Sequence, residues 1–238
     1  MMFASLGDSA VVVTLGAGID EPTLVRVRAL AAALEQDRAP GIVDIVPAYA
    51  TVTVFYDVEA WGGASVTPYE RVCRLIAERA EKLASRWPEL LRLGKAGAGA
   101  AAVVEIPVCY GGEFGPDLAE VAQHGKLAPE AVVSQHAGAD YFVQAVGFAP
   151  GFCYLGGLPV TLRTPRRPSP RLAVPAGSVG IGWEQTGVYP LTSPGGWQII
   201  GRTPLAMFRA DRTPPALVRV GDRVKFRAIP PEEFAAWK

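Results

Sequence analysis

Between Gly147 and Pro204 the chain never runs far without meeting glycine or proline. GFAPGFCYLGGLP, TPRRPSPR, VPAGSVGI and EQTGVYPLTSPGGWQIIGRTP follow one another there. Proline pins φ and removes a backbone donor, whereas glycine admits positive φ and lets other groups approach the backbone closely. A helix of ordinary length cannot be written through such punctuation. Short apolar and β-branched runs survive in and around it: Tyr141–Val146, Ala173–Ile181, Gly187–Leu191, Trp197–Arg202 and Arg223–Phe226. Many short strands at this spacing predict a closed or partly closed β-barrel. Val103–Cys109 reads as a strand ahead of them. Two short helices are expected at about Asp117–His124 and Pro129–Ala137.

The first third of the chain has a different rhythm. Ala10–Leu15 reads as a strand. Asp20 can cap a helix with Pro22 in its first turn, and Leu24, Val27, Leu30, Ala31 and Leu34 then recur at helical spacing. Ile42–Val46 and Thr51–Tyr56 read as strands on either side of Pro47. Thr67, Pro68 and Glu70 form a capping box before a helix carrying Val72, Leu75, Ile76, Leu83 and Trp87. This order predicts helices on one side of an antiparallel sheet. Gly94–Ala102, made only of small residues and one lysine, reads as a linker. The expected class is therefore α+β: a small N-terminal α/β domain over residues 1–93, a linker at 94–102, and a barrel domain over 103–238.

Charge and cysteine content narrow the chemistry. Lysine plus arginine equals aspartate plus glutamate at 23 each, so no net field favours nucleic acid or an anionic membrane. The second short helix carries no lysine or arginine, which argues against a helix-turn-helix DNA reader. Three widely spaced cysteines without a C-x-x-C pair, and two histidines without H-E-x-x-H, predict neither a disulfide framework nor a metal site. No segment reaches the ~20 apolar residues of a spanning helix, and a soluble, cytoplasmic protein is expected.

Several side chains in the glycine- and proline-rich region could carry a site. Arg171 and Arg202 can hold a carboxylate or phosphate through paired hydrogen bonds. Arg166 and Arg167 could join them or form a solvated basic turn. Gln185 both donates and accepts, and Ser178 and Ser193 offer hydroxyls outside any G-x-S-x-G elbow. His136 reads either as a satisfied core imidazole or as an acid–base group.

These segments resemble the KipI / PxpB family, the B subunits of 5-oxoprolinase, also called allophanate hydrolase subunit 1. The resemblance rests on five motifs in order: G-F-A-P-G-F-C-Y-L, T-P-R, V-P-A-G-S-V-G-I, Q-T-G-V-Y-P-L-T-S-P-G-G-W and I-G-R-T-P. LGDSAVVV and VPAYATVTVFYD resemble the family's first domain. Cys153 stands where the family usually has proline, and Trp183-Glu184 where small residues are usual. The resemblance implies a cyclophilin-like barrel. It also implies a subunit of an ATP-dependent 5-oxoprolinase that opens 5-oxoproline to glutamate and is inactive alone. Its companions would be a second barrel subunit (PxpC- or KipA-like) and a third subunit (PxpA-like), with ATP bound at the partner or a shared interface. Phosphorylating the lactam oxygen would make it a leaving group, so donors aimed at developing negative charge are expected. On this reading His136, Gln185 and Arg202 are the expected catalytic residues, and Arg171, Ser178, Ser193, Gly195 and Gly196 the substrate-binding ones. The alternative the family implies is a KipI-like inhibitor of a sensor histidine kinase.

Overall fold

The computed structural model describes residues 1–18, 20–63, 65–90 and 103–237. The chain divides into two compact units, Met1–Ala101 and Ala102–Lys238. The linker expected at 94–102 lies outside the described residues.

The first unit runs β1 (Met2–Ser5), β2 (Ala10–Thr14), α1 (Glu21–Gln36), β3 (Ile42–Ala48), β4 (Thr51–Tyr56) and α2 (Pro68–Ala84). Its strands form one antiparallel sheet in the order β1-β2-β4-β3. Both helix starts form as their sequences direct. The Asp20 carboxylate accepts from the Thr23 N–H at 2.7 Å, and Thr67 and Glu70 close a reciprocal capping box. Alternation along β4 turns Val52, Val54 and Tyr56 to one face, where they meet Val11 and Val13 of β2. Leu24, Val27, Leu30 and Leu34 of α1 and Val72, Ile76 and Ala80 of α2 are buried along with them. β1 is an addition to the predicted strands: MFAS lacks a clear alternating pattern and is recruited by pairing with β2.

The second unit is a closed barrel of seven strands. They are β5 (Val103–Tyr110), β6 (Tyr141–Val146), β7 (Cys153–Gly156), β9 (Ser178–Gly182), β10 (Gln185–Val188), β12 (Gln198–Arg202) and β13 (Arg223–Ala228). Their cyclic order is β10-β7-β6-β13-β5-β12-β9. β13 lies parallel to β5 from Arg223↔Val103 to Ala228↔Val108, and the other barrel pairings are antiparallel. α3 (Leu118–Gly125) and α4 (Pro129–Gly138) add Val121, Ala122 and Val132 to the barrel core of Ile106, Val143, Leu155, Ile181, Ile200 and Phe226.

The run Ala173–Ile181, read as one strand, is two. Pro175-Ala176-Gly177 turns the chain, Gly177 at φ +81°, and separates β8 (Arg171–Val174) from β9. β8 leaves the barrel and pairs with β11 (Ser193–Gly195) as a separate two-stranded ribbon. β7, β11 and a short helix α5 (Pro231–Ala236) are additions to the expected elements; each is only three to six residues long and too short to show a period.

Candidate functional site: an arginine and aromatic face on the barrel

The outer surface of β9 and β10 is bare of side chains where it matters. A Cβ on Gly182 would stand 2.7 Å from Nε1 of Trp197, and one on Gly187 3.1 Å from its Cζ3. The indole, 4% exposed, therefore lies directly against backbone. Phe152, Val174, Tyr189 and Ile199 complete a second apolar cluster around it. Phe152 presents its edge to both Trp197 and Tyr189, with ring centroids 5.5 and 5.1 Å apart. The Gly/Pro loops thus do more than turn barrel corners: they wrap an aromatic layer over one wall.

Arginines converge on this layer. The Arg166 guanidinium sits 5.8 Å from the centre of the Trp197 ring. Burial pushes the Tyr154 phenol up and Arg166 pulls it back. Burial likewise pushes up Tyr189, opposed by its hydrogen bond with the Trp197 backbone and by Arg166 and Arg171.

Asp117 organises the polar half of the site. Its carboxylate, 6% exposed, accepts at Oδ1 from Nη2 of Arg171 (2.6 Å) and Nη1 of Arg167 (3.1 Å). Its Oδ2 accepts the Ile199 N–H at 2.6 Å. The aspartate stands at the α3 N-terminus yet makes no side-chain cap there. Two guanidinium groups against one carboxylate leave one positive charge. Nη1 of Arg171, Nε of Arg167, Oγ of Ser193 and Oε1 of Gln198 are all buried without a hydrogen-bond partner. Buried polar atoms are nearly always paired, so these four are polar groups of the region still open to a further partner. Three of them can donate, which with the residual charge suits a small carboxylate.

The expected site residues separate into groups. Arg171, Ser193, Gly195 and Gly196 do come together on the β8–β11 ribbon. Arg171 pairs with Gly195 and Val174 with Ser193. The Gly196 carbonyl accepts the Arg167 N–H at 2.7 Å, and Gly195 leaves room for the Tyr189 phenol, with which any Cβ would collide. Arg202 and Ser178 are cross-strand partners at one end of β9, where Nε of Arg202 donates to the Ala176 carbonyl at 2.9 Å. Ser178 is 2% exposed.

Gln185 lies beside Gly182, at the other end of β9, and donates to Oε1 of Gln144 at 2.8 Å. Four residues of strand separate the two positions, roughly 13 Å. Gln185 and Arg202, both expected to be catalytic, are thus held at opposite ends of β9. The Arg171, Gln185 and Arg202 side chains bind Asp117, Gln144 and the Ala176 carbonyl respectively.

The catalytic expectation for His136 is corrected. It is fully buried, with Nδ1 2.8 Å from the Tyr110 hydroxyl and Nε2 3.0 Å from Oγ1 of Thr186. Thr186 donates its single proton to the Gly180 carbonyl at 2.9 Å, so it must accept from Nε2–H. Nδ1 is then the acceptor for Tyr110 O–H. Burial lowers the imidazole pKa to about 3. A neutral ring whose two nitrogens are both committed inside the barrel is a core element, the first of the two readings its sequence allowed.

Asp117 is the participant that sequence reasoning did not assign, whereas Trp197 and Tyr189 read from the sequence as barrel-lining aromatics. Asp117 opens the run expected to form the first short helix, and nothing local signals a partner 82 residues away. Among the described residues no cluster of three or more His, Cys, Asp and Glu side chains is arranged to hold a metal ion. No helix among them is long and apolar enough to cross a membrane.

Comparison with known proteins identifies the family. Residues 1–218 match the family model described as carboxyltransferase domain, subdomain C and D. The chain is 46% identical over 238 residues to the B subunit of 5-oxoprolinase from Bacillus subtilis, covering 98% of this chain and 95% of that protein. It is 42% identical to the Escherichia coli O157:H7 protein of the same name, over 96% of this chain and 95% of that one. The crystal structure of TTHA0988 superposes with a TM-score of 0.75 at 37% identity; the match covers 92% of this chain but only 39% of the longer TTHA0988 chain.

Proposed function

The chain belongs to the carboxyltransferase subdomain C and D family, and on that footing we propose that it is the B-type subunit of a 5-oxoprolinase. The observation that carries the proposal is near-full-length identity of 42–46% to proteins bearing that name, joined to a barrel face whose orphaned donors suit a carboxylate. On this reading Arg171 and Arg167 hold the carboxylate of 5-oxoproline and Ser193 adds a hydroxyl. The lactam amide is left facing outward, where a companion subunit completes the site.

ATP is consumed in such a reaction as co-substrate. One residual positive charge beside Asp117 fits a single carboxylate and does not fit a triphosphate with its metal. ATP accordingly binds at the partner subunit or at an interface shared with it, and this chain carries no phosphoryl-transfer step of its own. The protein acts as part of a heteromer, in the cytoplasm, and produces no glutamate by itself.

The test combines this chain with purified companion barrel and third subunits, ATP and 5-oxoproline, and measures glutamate. Activity should require all three proteins. Arg171→Met should raise KM for 5-oxoproline about tenfold or more, the size expected for losing a charged hydrogen bond. Glutamate production no greater than in the mixture lacking this chain would end the proposal.

A further inference from the structure

The N-terminal unit carries a second set of donors, far in sequence from the barrel motifs. Along α2, Arg71, Arg74, Leu75 and Glu78 stand at i, i+3, i+4 and i+7, one face of a helix. That face forms one wall of a cleft of about 490 Å³ whose other wall is made by Pro40, Ala60 and Trp61. The volume is within the ordinary range for small-molecule sites.

Two glycines make room for the donors. Any Cβ on Gly63 would collide with the Arg71 guanidinium, and one on Gly41 would stand 2.7 Å from Nε1 of Trp61. Gly41 has φ +81°, a conformation other residues rarely adopt. Nε1 of Trp61 is buried and has no hydrogen-bond partner. Arg71 makes no side-chain hydrogen bond or ion pair among the described residues, while Arg74 interacts electrostatically with Glu70. The cleft therefore offers a spare guanidinium, apolar walls from Pro40, Ala60, Trp61 and Leu75, and one acceptor, Glu78.

We infer that this cleft is a binding site for a small carboxylate that also carries an N–H group, the size and chemistry of an amino acid or its lactam. Arg71 takes the carboxylate through a two-point contact, Arg74 adds charge, and Glu78 accepts the ligand's N–H. Lysine at either arginine position would supply charge without the planar fork. The inference rests on this cleft alone and needs neither the companion subunits nor ATP.

The experiment uses the full chain without companions and follows the tryptophan indole N–H resonances by NMR, Trp61 being identified from a Trp61→Phe variant. L-glutamate, 5-oxoproline and inorganic phosphate are titrated separately to about 10 mM, the range of weak small-molecule affinities. The Trp61 signal should move saturably with L-glutamate or 5-oxoproline. Arg71→Met should weaken that response about tenfold or more. Gly63→Ala, which keeps the arginine but evicts its guanidinium, should do the same in a chain whose other resonances are unchanged. No saturable movement with either organic acid, a response to phosphate alone, or unaltered affinity in a folded Gly63→Ala protein overturns the inference, whatever the three-subunit assay gives.

Discussion

His136 gives the most direct handle on the barrel interior. Its imidazole pKa is about 3 in the fold because burial penalises the cation, against 6.5 for the ordinary side chain. The native state thus refuses a proton that the unfolded chain accepts once the pH falls below 6.5. The stabilising neutral form is fully present above pH 6.5, and its contribution is lost progressively as pH drops from there toward 3. Each pH unit in that window is worth about 1.4 kcal/mol, so at pH 4.5 the loss is on the order of 3 kcal/mol. For a unit of this size that is on the order of 8–10 °C in Tm. Carboxylates also titrate in acid, so the informative quantity is a difference. The fall in Tm between pH 7 and 4.5 should be smaller in His136→Gln than in the parent by about that amount, even though the variant starts lower at pH 7. Independently, the His136 ring protons, assigned against a His124→Gln variant, should show no titration between pH 5 and 8. A His136 midpoint near 6.5, or identical acid slopes in the two proteins, would refute the enclosed, neutral imidazole.

Other outcomes follow from the site. Asp117→Asn removes the charge that Arg167 and Arg171 share and should destabilise the protein by about 2–4 kcal/mol in urea unfolding; a loss below about 1 kcal/mol would contradict its role as a buried hub. Gly182→Val should displace the Trp197 indole, lowering stability by about 1–3 kcal/mol and shifting tryptophan emission to the red. The Cys153 thiol, fully buried and pushed up to about 11 by its surroundings, should resist thiol reagents at pH 8 until the chain unfolds, as read by mass spectrometry.

What the sequence made legible divides along local and non-local lines. The Asp20 cap and the Thr67–Glu70 box are written within four residues, and both form as read. The barrel followed from the density of short runs and turns. Its strand order did not, because pairings such as Arg223 with Val103 join segments about 120 residues apart with no local mark. The same limit explains the site. Arg171, Ser193, Gly195 and Gly196 belong to neighbouring motifs that one ribbon unites. Gln185 and Arg202 look equally close on paper, yet four residues of β9 hold them apart. Alternation told nothing about this, since the glycines of β9 and β10 carry no hydrophobic signal while being the surface on which Trp197 rests.

The pairing of β13 with β5 also sets a schedule. β13 fills the gap between β5 and β6, and it is the last strand of the barrel to leave the ribosome. Until it arrives, Val103–Tyr110 and Tyr141–Val146 each present an unpaired edge, and His136 lacks the Phe226 ring that lies 4.6 Å from it. The N-terminal sheet has no such dependence, its four strands being complete within the first 56 residues. Synthesis therefore delivers a finished first unit well before the second can close, leaving a nascent barrel that holdase chaperones would be suited to shield.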